Sequence, residues 1–345
     1  MNNLFIFSSS IVNVYWIDFK NMNTETLLKS YDLMVKSRML EERLINMFKQ
    51  SHGFFWIGGP GEEAFNVPLG LQVKKGEGLD YDYLHLHYRS SAILIAMGMD
   101  PIEAIRQMKN TATDSHSGGR NFSSHYSVKK WNVTPINSPI EVQYTIALGT
   151  AIAQKKHGGD AITIVNGGDA GTAEGDFASC LIWSSRPKHE LPILIIVTNN
   201  QWGISTHAST QHGEKSIADR GQAFGIKNRV INGNDVIESY EAIQEAMQYV
   251  RSTRKPFLLE AKVSRLYGHS SASGAVFQKD EVDPLALFEQ KLLQSGDLTP
   301  EKINSLRTRY TEEFQALAEK IKNEPQPDPE SIYDFTYWQQ KGKTW

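Results

Sequence analysis

Gly167, Gly168, Asp169, Ala170 and Gly171 come two residues after the apolar run Ala161–Val165, and Asn199 and Asn200 close a second run that begins at Leu191. Small residues in such a turn let a backbone approach phosphate oxygens closely. A helix expected to open near Thr172 adds the unpaired N–H groups of its first turn, which favour an anion. Asp169 offers a hard carboxylate oxygen and Asn200 an amide oxygen. Mg²⁺ selects such oxygens together with phosphate oxygens in a near-octahedral array. The chemistry implied is metal-assisted capture of a diphosphate.

Two short apolar runs rich in β-branched residues read as buried parallel strands. They would bring the polar residues to the carboxyl edge of a sheet, where open α/β folds bind ligands. The rest of the chain supplies matching elements. Apolar residues at helical spacing run from Thr24 to Gln50, with Glu41, Glu42 and Arg43 read as a solvated or ion-paired face. Gly53, Gly58, Gly59, Pro60 and Gly61 break that helix. Asp100-Pro101 and Asp283-Pro284 look like capped helix starts. Residues 111–135 form a long polar loop, and loops of that length inside a compact domain are usually functional. A helix from Val142 carries Ile146, Leu148, Ile152 and Ala153 as core. Ile217–Gly225 reads as a glycine-terminated helix and Arg229–Ile231 as a strand. Asp235 caps an amphipathic helix over 236–251, Pro256–Val263 holds another buried strand, and a last helix spans 300–322. Alternating strands and helices predict an α/β fold, a parallel sheet with helices on both faces.

Gly168-Asp169-Ala170, twenty-eight further residues and then Asn199-Asn200 resemble the thiamine diphosphate motif. Either half alone suits an ordinary strand–turn–helix; the pair is more specific. With Ala-Glu-Gly-Asp-Phe (173–177) and Trp202-Gly-Ile-Ser205, the stretch resembles the α subunit of the E1 component of 2-oxo acid dehydrogenase complexes. Ala170 stands where the third motif residue is usually glycine, a change that is harmless if its φ is negative. The resemblance, which covers about residues 24 to 338, implies a thiamine diphosphate-binding fold and assigns roles by position. Gly61-Glu-Glu-Ala64 opens a helix, and Asp169, Asn200 and the backbone carbonyl of Trp202 hold Mg²⁺. Tyr88 and Arg89, with Gly168, Ala170 and Gly171, meet the diphosphate; a hydroxyl and a planar fork of donors suit that anion. Ser138 lies beside the thiamine, Ile140 is the apolar wedge that bends it, and Ile204 packs against it. His269, in Gly268-His-Ser270, is the catalytic and cofactor-contacting imidazole, whose ordinary pKa permits proton donation near neutrality. Ser270 aligns with a serine phosphorylated in mitochondrial relatives.

Other residues depart from the pattern or stay open. Val142 replaces a hydroxyl that helps hold a structural K⁺ in branched-chain members, so that ion is not predicted. Thr198 replaces an arginine near the diphosphate, and Ser273 and Gly274 stand where an aspartate is usual. His116, Arg120 and His125 in the long loop are substrate-side candidates. His85 and His87 are read as pocket wall or packing, because no third ligand accompanies them.

The length of 345 residues allows one large α/β domain, and no repeat or linker divides it. The expected division is 1–22 an extension, 23–323 the thiamine diphosphate-binding domain, and 324–345 a Pro-rich tail bearing Tyr333, Phe335, Tyr337, Trp338 and Trp345. Residues 1–21 lack the basic start of a signal peptide and the clean apolar length of a membrane span, and translation is expected to begin at Met22. A net charge of −3 gives no basic field for nucleic acid. The single cysteine, Cys180, excludes an internal disulfide, fits a reducing cytoplasm, and should be buried in the helix after the diphosphate turn.

The implied activity is oxidative decarboxylation of a 2-oxo acid with acyl transfer to lipoyl-E2. It needs thiamine diphosphate, Mg²⁺ and a separate β subunit in an α₂β₂ heterotetramer, so the chain is expected to be inactive alone. The Asn137-Ser-Pro-Ile140 loop resembles the Ser-Pro version carried by branched-chain members, which implies a branched-chain substrate, followed by pyruvate and then acetoin. A paralogue that binds the cofactor without turnover is the reading of a different class.

Overall fold

The computed structural model describes residues 22–334. The first twenty-one residues and the aromatic residues Phe335, Tyr337, Trp338 and Trp345 lie outside that range. The N-terminal half runs α1 (Thr24–Lys49), α2 (Glu63–Gln72), β1 (Tyr83–His85), α3 (Ser91–Met97), α4 (Pro101–Met108) and α5 (Val142–His157). Then come β2 (Thr163–Gly168), α6 (Gly175–Ser184), β3 (Ile193–Asn199) and a two-stranded ribbon, β4 (Trp202–Gly203) with β5 (Thr206–His207). β6 (Lys227–Asn232), α7 (Val236–Thr253), β7 (Phe257–Lys262), α8 (Pro284–Ser295) and α9 (Pro300–Lys320) complete the order.

Capping fixes several of these starts. The side chains of Asn23, Asp100, Asp235, Asp283 and Thr299 each accept a first-turn backbone N–H, and Pro occupies the first helical position after Asp100, Asp283 and Thr299. The strands form one parallel sheet in the order β1-β2-β3-β7-β6. In β3 both faces are apolar: Leu194 and Ile196 pack with the α1, α2 and α7 side, whereas Ile193, Ile195 and Val197 pack with α5 and α6. A central parallel strand covered on both faces needs such a continuous apolar run. Parallel pairing puts every strand's carboxyl end at one edge, and the loops leaving β1, β2, β3 and β7 meet there.

Several expectations are corrected. The helix placed near Thr172 begins at Gly175, because Ala170–Ala173 closes first as a 3₁₀ turn. There the Asp169 carbonyl accepts from both Thr172 N and Thr172 Oγ1, at 3.1 and 2.6 Å, a local bond that competes with the α-helical ladder. Ile217–Phe224 is likewise a 3₁₀ helix, closed by Gly225 in the left-handed region. Ile146 is exposed, because the buried stripe of α5 is Tyr144, Ala147, Leu148 and Ala151, about 100° or more away around the helix; Ile152 and Ala153 are half-buried. Glu41 is no solvated residue. It is buried, accepting from Trp56 Nε1 at 2.9 Å and Ser91 Oγ at 2.5 Å. Cys180 is buried in α6 as expected. No described helix is long and apolar enough to cross a membrane.

Candidate active site

A cleft opens where these strand ends converge, bordered by Tyr88, Arg89, Ser138, Ile140, Gly168, Asp169, Ala170, Gly171, Asn200, Trp202, Ile204 and His269. Their contributing segments are the ends of β1, β2, β3 and β7 and the loop that enters α5. The tertiary fold therefore brings together every residue that the motif analysis assigned to cofactor, metal or chemistry.

Arg89 organises one wall. Its guanidinium donates to the Gly58 carbonyl, and its Nη2 donates to His269 Nδ1 at 3.0 Å and to the His269 carbonyl at 3.1 Å. Guanidinium has no acceptor, so His269 Nδ1 carries the lone pair and Nε2 carries the hydrogen. Burial, with Arg89 and Arg265 nearby, pushes the imidazole pKa down to about 4. That lowered value leaves the imidazole in its neutral form near neutrality in the isolated chain. In this environment it is a neutral group whose Nε2–H is a hydrogen-bond donor. Burial also lowers His87 and His125. His125 has the opposite tautomer, since Nδ1–H donates to the Ser123 carbonyl at 3.0 Å and Nε2 accepts from Ser138 Oγ at 2.9 Å.

The opposite wall is acidic. Burial raises Asp169 to about 6, and its Oδ2 is buried with no hydrogen-bond partner. Oδ1 accepts from Asn200 N at 3.3 Å, which draws the ends of β2 and β3 together. A buried carboxylate oxygen with no donor is costly unless a cation sits there. The Asp169 carboxylate, the Asn200 amide oxygen and the Trp202 carbonyl are the hard oxygens that Mg²⁺ takes, so the residues present fit that ion. Ala170 belongs to the 3₁₀ turn and lies outside the residues with positive φ, the condition under which alanine is harmless. A Cβ on Gly203 would come within 2.6 Å of the Ala170 methyl, so glycine there makes the room that alanine uses. Thr198 supplies no cation; its Oγ1 donates to the Gly167 carbonyl at 3.3 Å.

Motif reasoning left some residues out. Phe55, Ile57, Phe122 and Gly203 also border the cleft, and His87 forms wall as expected while His85 bonds Thr150 at 2.9 Å. Of the three candidates in the long loop only His125 reaches the cleft. His116 sits beside Glu103 and Asp114, and Arg120 donates to the Ser331 carbonyl. Glu141 was unforeseen. It borders the cleft, is 2 % exposed, and has its carboxyl raised to about 8, chiefly by burial. Its neighbour Ile140 followed from the motif, whereas the residues that bury Glu141 lie in a different strand and turn.

The family model described as dehydrogenase E1 component matches residues 31–330. Similar proteins include the 2-oxoisovalerate dehydrogenase subunit alpha of Bacillus subtilis (strain 168), 27% identical over 315 residues, covering 89% of this chain and 94% of that protein. The mitochondrial 2-oxoisovalerate dehydrogenase subunit alpha of Caenorhabditis elegans is 30% identical over 329 residues, covering 91% and 74%. The Homo sapiens counterpart is 28% identical over 329 residues, covering 91% and 71%. With the matched region enclosing every strand of the sheet and every motif residue of the cleft, the chain belongs to the dehydrogenase E1 component family, thiamine diphosphate-dependent 2-oxo acid dehydrogenases, as an α-type subunit.

Proposed function

We propose that this chain is the α subunit of an E1 enzyme that oxidatively decarboxylates a branched-chain 2-oxo acid. The acyl group passes to lipoyl-E2, and a β subunit completes an α₂β₂ assembly. One observation carries the reading: Asp169, whose Oδ2 is buried without a donor, lines a cleft shared with Asn200, Arg89 and His269. The relatives named for 2-oxoisovalerate and the Asn137-Ser-Pro-Ile140 loop support the branched-chain substrate. The single buried cysteine is consistent with a cytoplasmic setting. Residues 23–323 act as one cofactor-binding unit.

Thiamine diphosphate, when bound, supplies the carbon nucleophile and the electron sink. Asp169, Asn200 and the Trp202 carbonyl would hold Mg²⁺ against its diphosphate, and Tyr88, Arg89 and the backbone of Gly168–Gly171 would meet the phosphate oxygens. Ile140 and Ile204 give the cleft apolar walls, and both are 55 % exposed in the isolated chain. That open side is the place for the β subunit, which would exclude water. His269 offers its Nε2–H to the diphosphate or to the oxygen that develops charge during acyl transfer, and neutral His125 is held toward Ser138 for the same region.

The test is co-expression with the genomic β partner, followed by 2-oxo acid-dependent reduction of an artificial electron acceptor with and without thiamine diphosphate and Mg²⁺. Turnover that needs both and is fastest on 3-methyl-2-oxobutanoate is expected. Preference for pyruvate would correct the substrate, and a folded, cofactor-loaded assembly without turnover on any 2-oxo acid would favour the non-catalytic paralogue. Asp169→Asn should abolish the Mg²⁺ dependence of cofactor binding.

A further inference from the structure

We propose that Glu141 is a positioning residue that braces the Gly168–Gly171 turn against Ile140, holding the two sides of the cofactor cleft at one spacing. The inference rests on the functional reading above, in which that turn receives a diphosphate and Ile140 meets the rings. Glu141 adjoins Ile140 in the chain and adopts φ +65°, a left-handed conformation that a non-glycine residue keeps only when its surroundings impose it. Its carboxyl spans to the other wall. Oε1 accepts from Gly168 N at 3.1 Å, and Oε2 accepts from Gln143 Nε2, also at 3.1 Å. Gln143 Nε2 donates as well to the Asn166 carbonyl at 3.1 Å, so α5 and the end of β2 are tied twice.

Two glycines make room for this brace. A Cβ on Gly167 would lie 2.0 Å from Glu141 Oε2, and a Cβ on Gly171 would lie 2.1 Å from Glu141 Cγ. Neither glycine has a positive φ. Their need for glycine is therefore close approach: Glu141 at Gly171, and Glu141 together with the Tyr144 ring at Gly167. The turn's glycines and the glutamate form one reciprocal unit: the side chain fills the space that the missing Cβ atoms leave, and it fixes the Gly168 N–H. A diphosphate would then meet a turn already set in place, with less ordering left to do on binding.

The experiment titrates the native α–β assembly, E141A, E141Q, G171A and the E141A/G171A double variant with thiamine diphosphate at fixed Mg²⁺. Calorimetry reads affinity, and the cofactor-free thermal midpoint checks folding. E141A should weaken affinity about tenfold, while E141Q, whose amide oxygen still accepts from Gly168, should stay within about threefold. G171A should cost more than about tenfold in the native background but less than about threefold once Glu141 is alanine, a non-additivity that only residues in contact display. E141A binding as the native assembly does, or G171A costing the same in both backgrounds, would overturn the proposal. If E141A does not fold, E141D replaces it, since its carboxyl is too short to reach Gly168 from the same backbone; native affinity in E141D would likewise overturn the proposal. Native assembly that fails to bind thiamine diphosphate at all would bring down the functional reading as well.

Discussion

Arg89 and burial leave His269 a neutral imidazole whose Nε2 carries the hydrogen, and under the proposed function it acts by donating that hydrogen bond. Glutamine can present an N–H from nearly the same place, and alanine cannot. His269→Gln is expected to retain turnover within about tenfold, whereas His269→Ala should lose on the order of 10²–10³-fold, the usual cost of removing a positioned donor. Steady-state rates of the co-expressed assembly give the comparison, and equal losses would show that the imidazole itself is required. Glu62 provides a second residue-level test. Burial raises its carboxyl to about 8, and Oε1 has no partner. A group with a raised folded pKa contributes stability that is fully present below its unfolded pKa and is lost as pH rises through the folded value. Between about pH 7.5 and 8.5 the lowered histidines are neutral in both states, so the raised carboxyls of Glu62, Glu141 and Glu41 set the slope. The thermal midpoint of the cofactor-free assembly should fall across that window, and Glu62→Gln should flatten the fall. An unchanged slope in the variant would refute the assignment.

At the scale of elements, capping and close packing set where each site residue points. Asp235 caps α7 by accepting from Ile237 N and Glu238 N at 2.9 and 3.2 Å, and it pairs with Lys291. It does not border the cleft. Asp235→Ala is expected to cost about 1 kcal/mol of stability, as N-cap losses do, with thiamine diphosphate affinity unchanged by calorimetry. Gly203→Ala should behave in the reverse way. Its methyl would meet the Ala170 Cβ, so cofactor affinity should drop more than stability does. Periodicity located these elements well, because helix stripes and strand runs depend on neighbours a few residues apart. It did not distinguish a 3₁₀ turn over Ala170–Ala173 from a helix start near Thr172, whose hydroxyl captures the Asp169 carbonyl.

Across the whole molecule, distant segments are joined by buried charge. Arg38 of α1 donates to Glu63 at the start of α2 at 2.6 and 3.0 Å and to Asp283 at the head of α8 at 2.9 and 3.1 Å. Burial pushes the Asp283 carboxyl up, but Arg38 outweighs it and holds it below the usual carboxylate range. Arg38→Ala leaves Glu63 buried without its cation and should cost about 3–5 kcal/mol in denaturant unfolding. Asp283→Asn, at a side chain 30% exposed, should cost less. The same long-range packing separates His116, Arg120 and His125. All three share one polar loop, yet only His125 is carried to the cleft.

The sequence by itself determined the parallel α/β architecture and the local motif: Asp169 after one strand, Asn200 after the next, Tyr88-Arg89 and His269 after two others. These are matters of residue type and spacing along the chain, and a strand's direction carries its following loop to a known edge of the sheet. Only the tertiary structure decided the protonation of His269, the burial of Glu41, the outward face of Ile146 and the place of Glu141 against Gly168. Each of those depends on desolvation and on partners remote in the chain, such as Arg89 for His269 and Trp56 for Glu41, and local periodicity does not encode them.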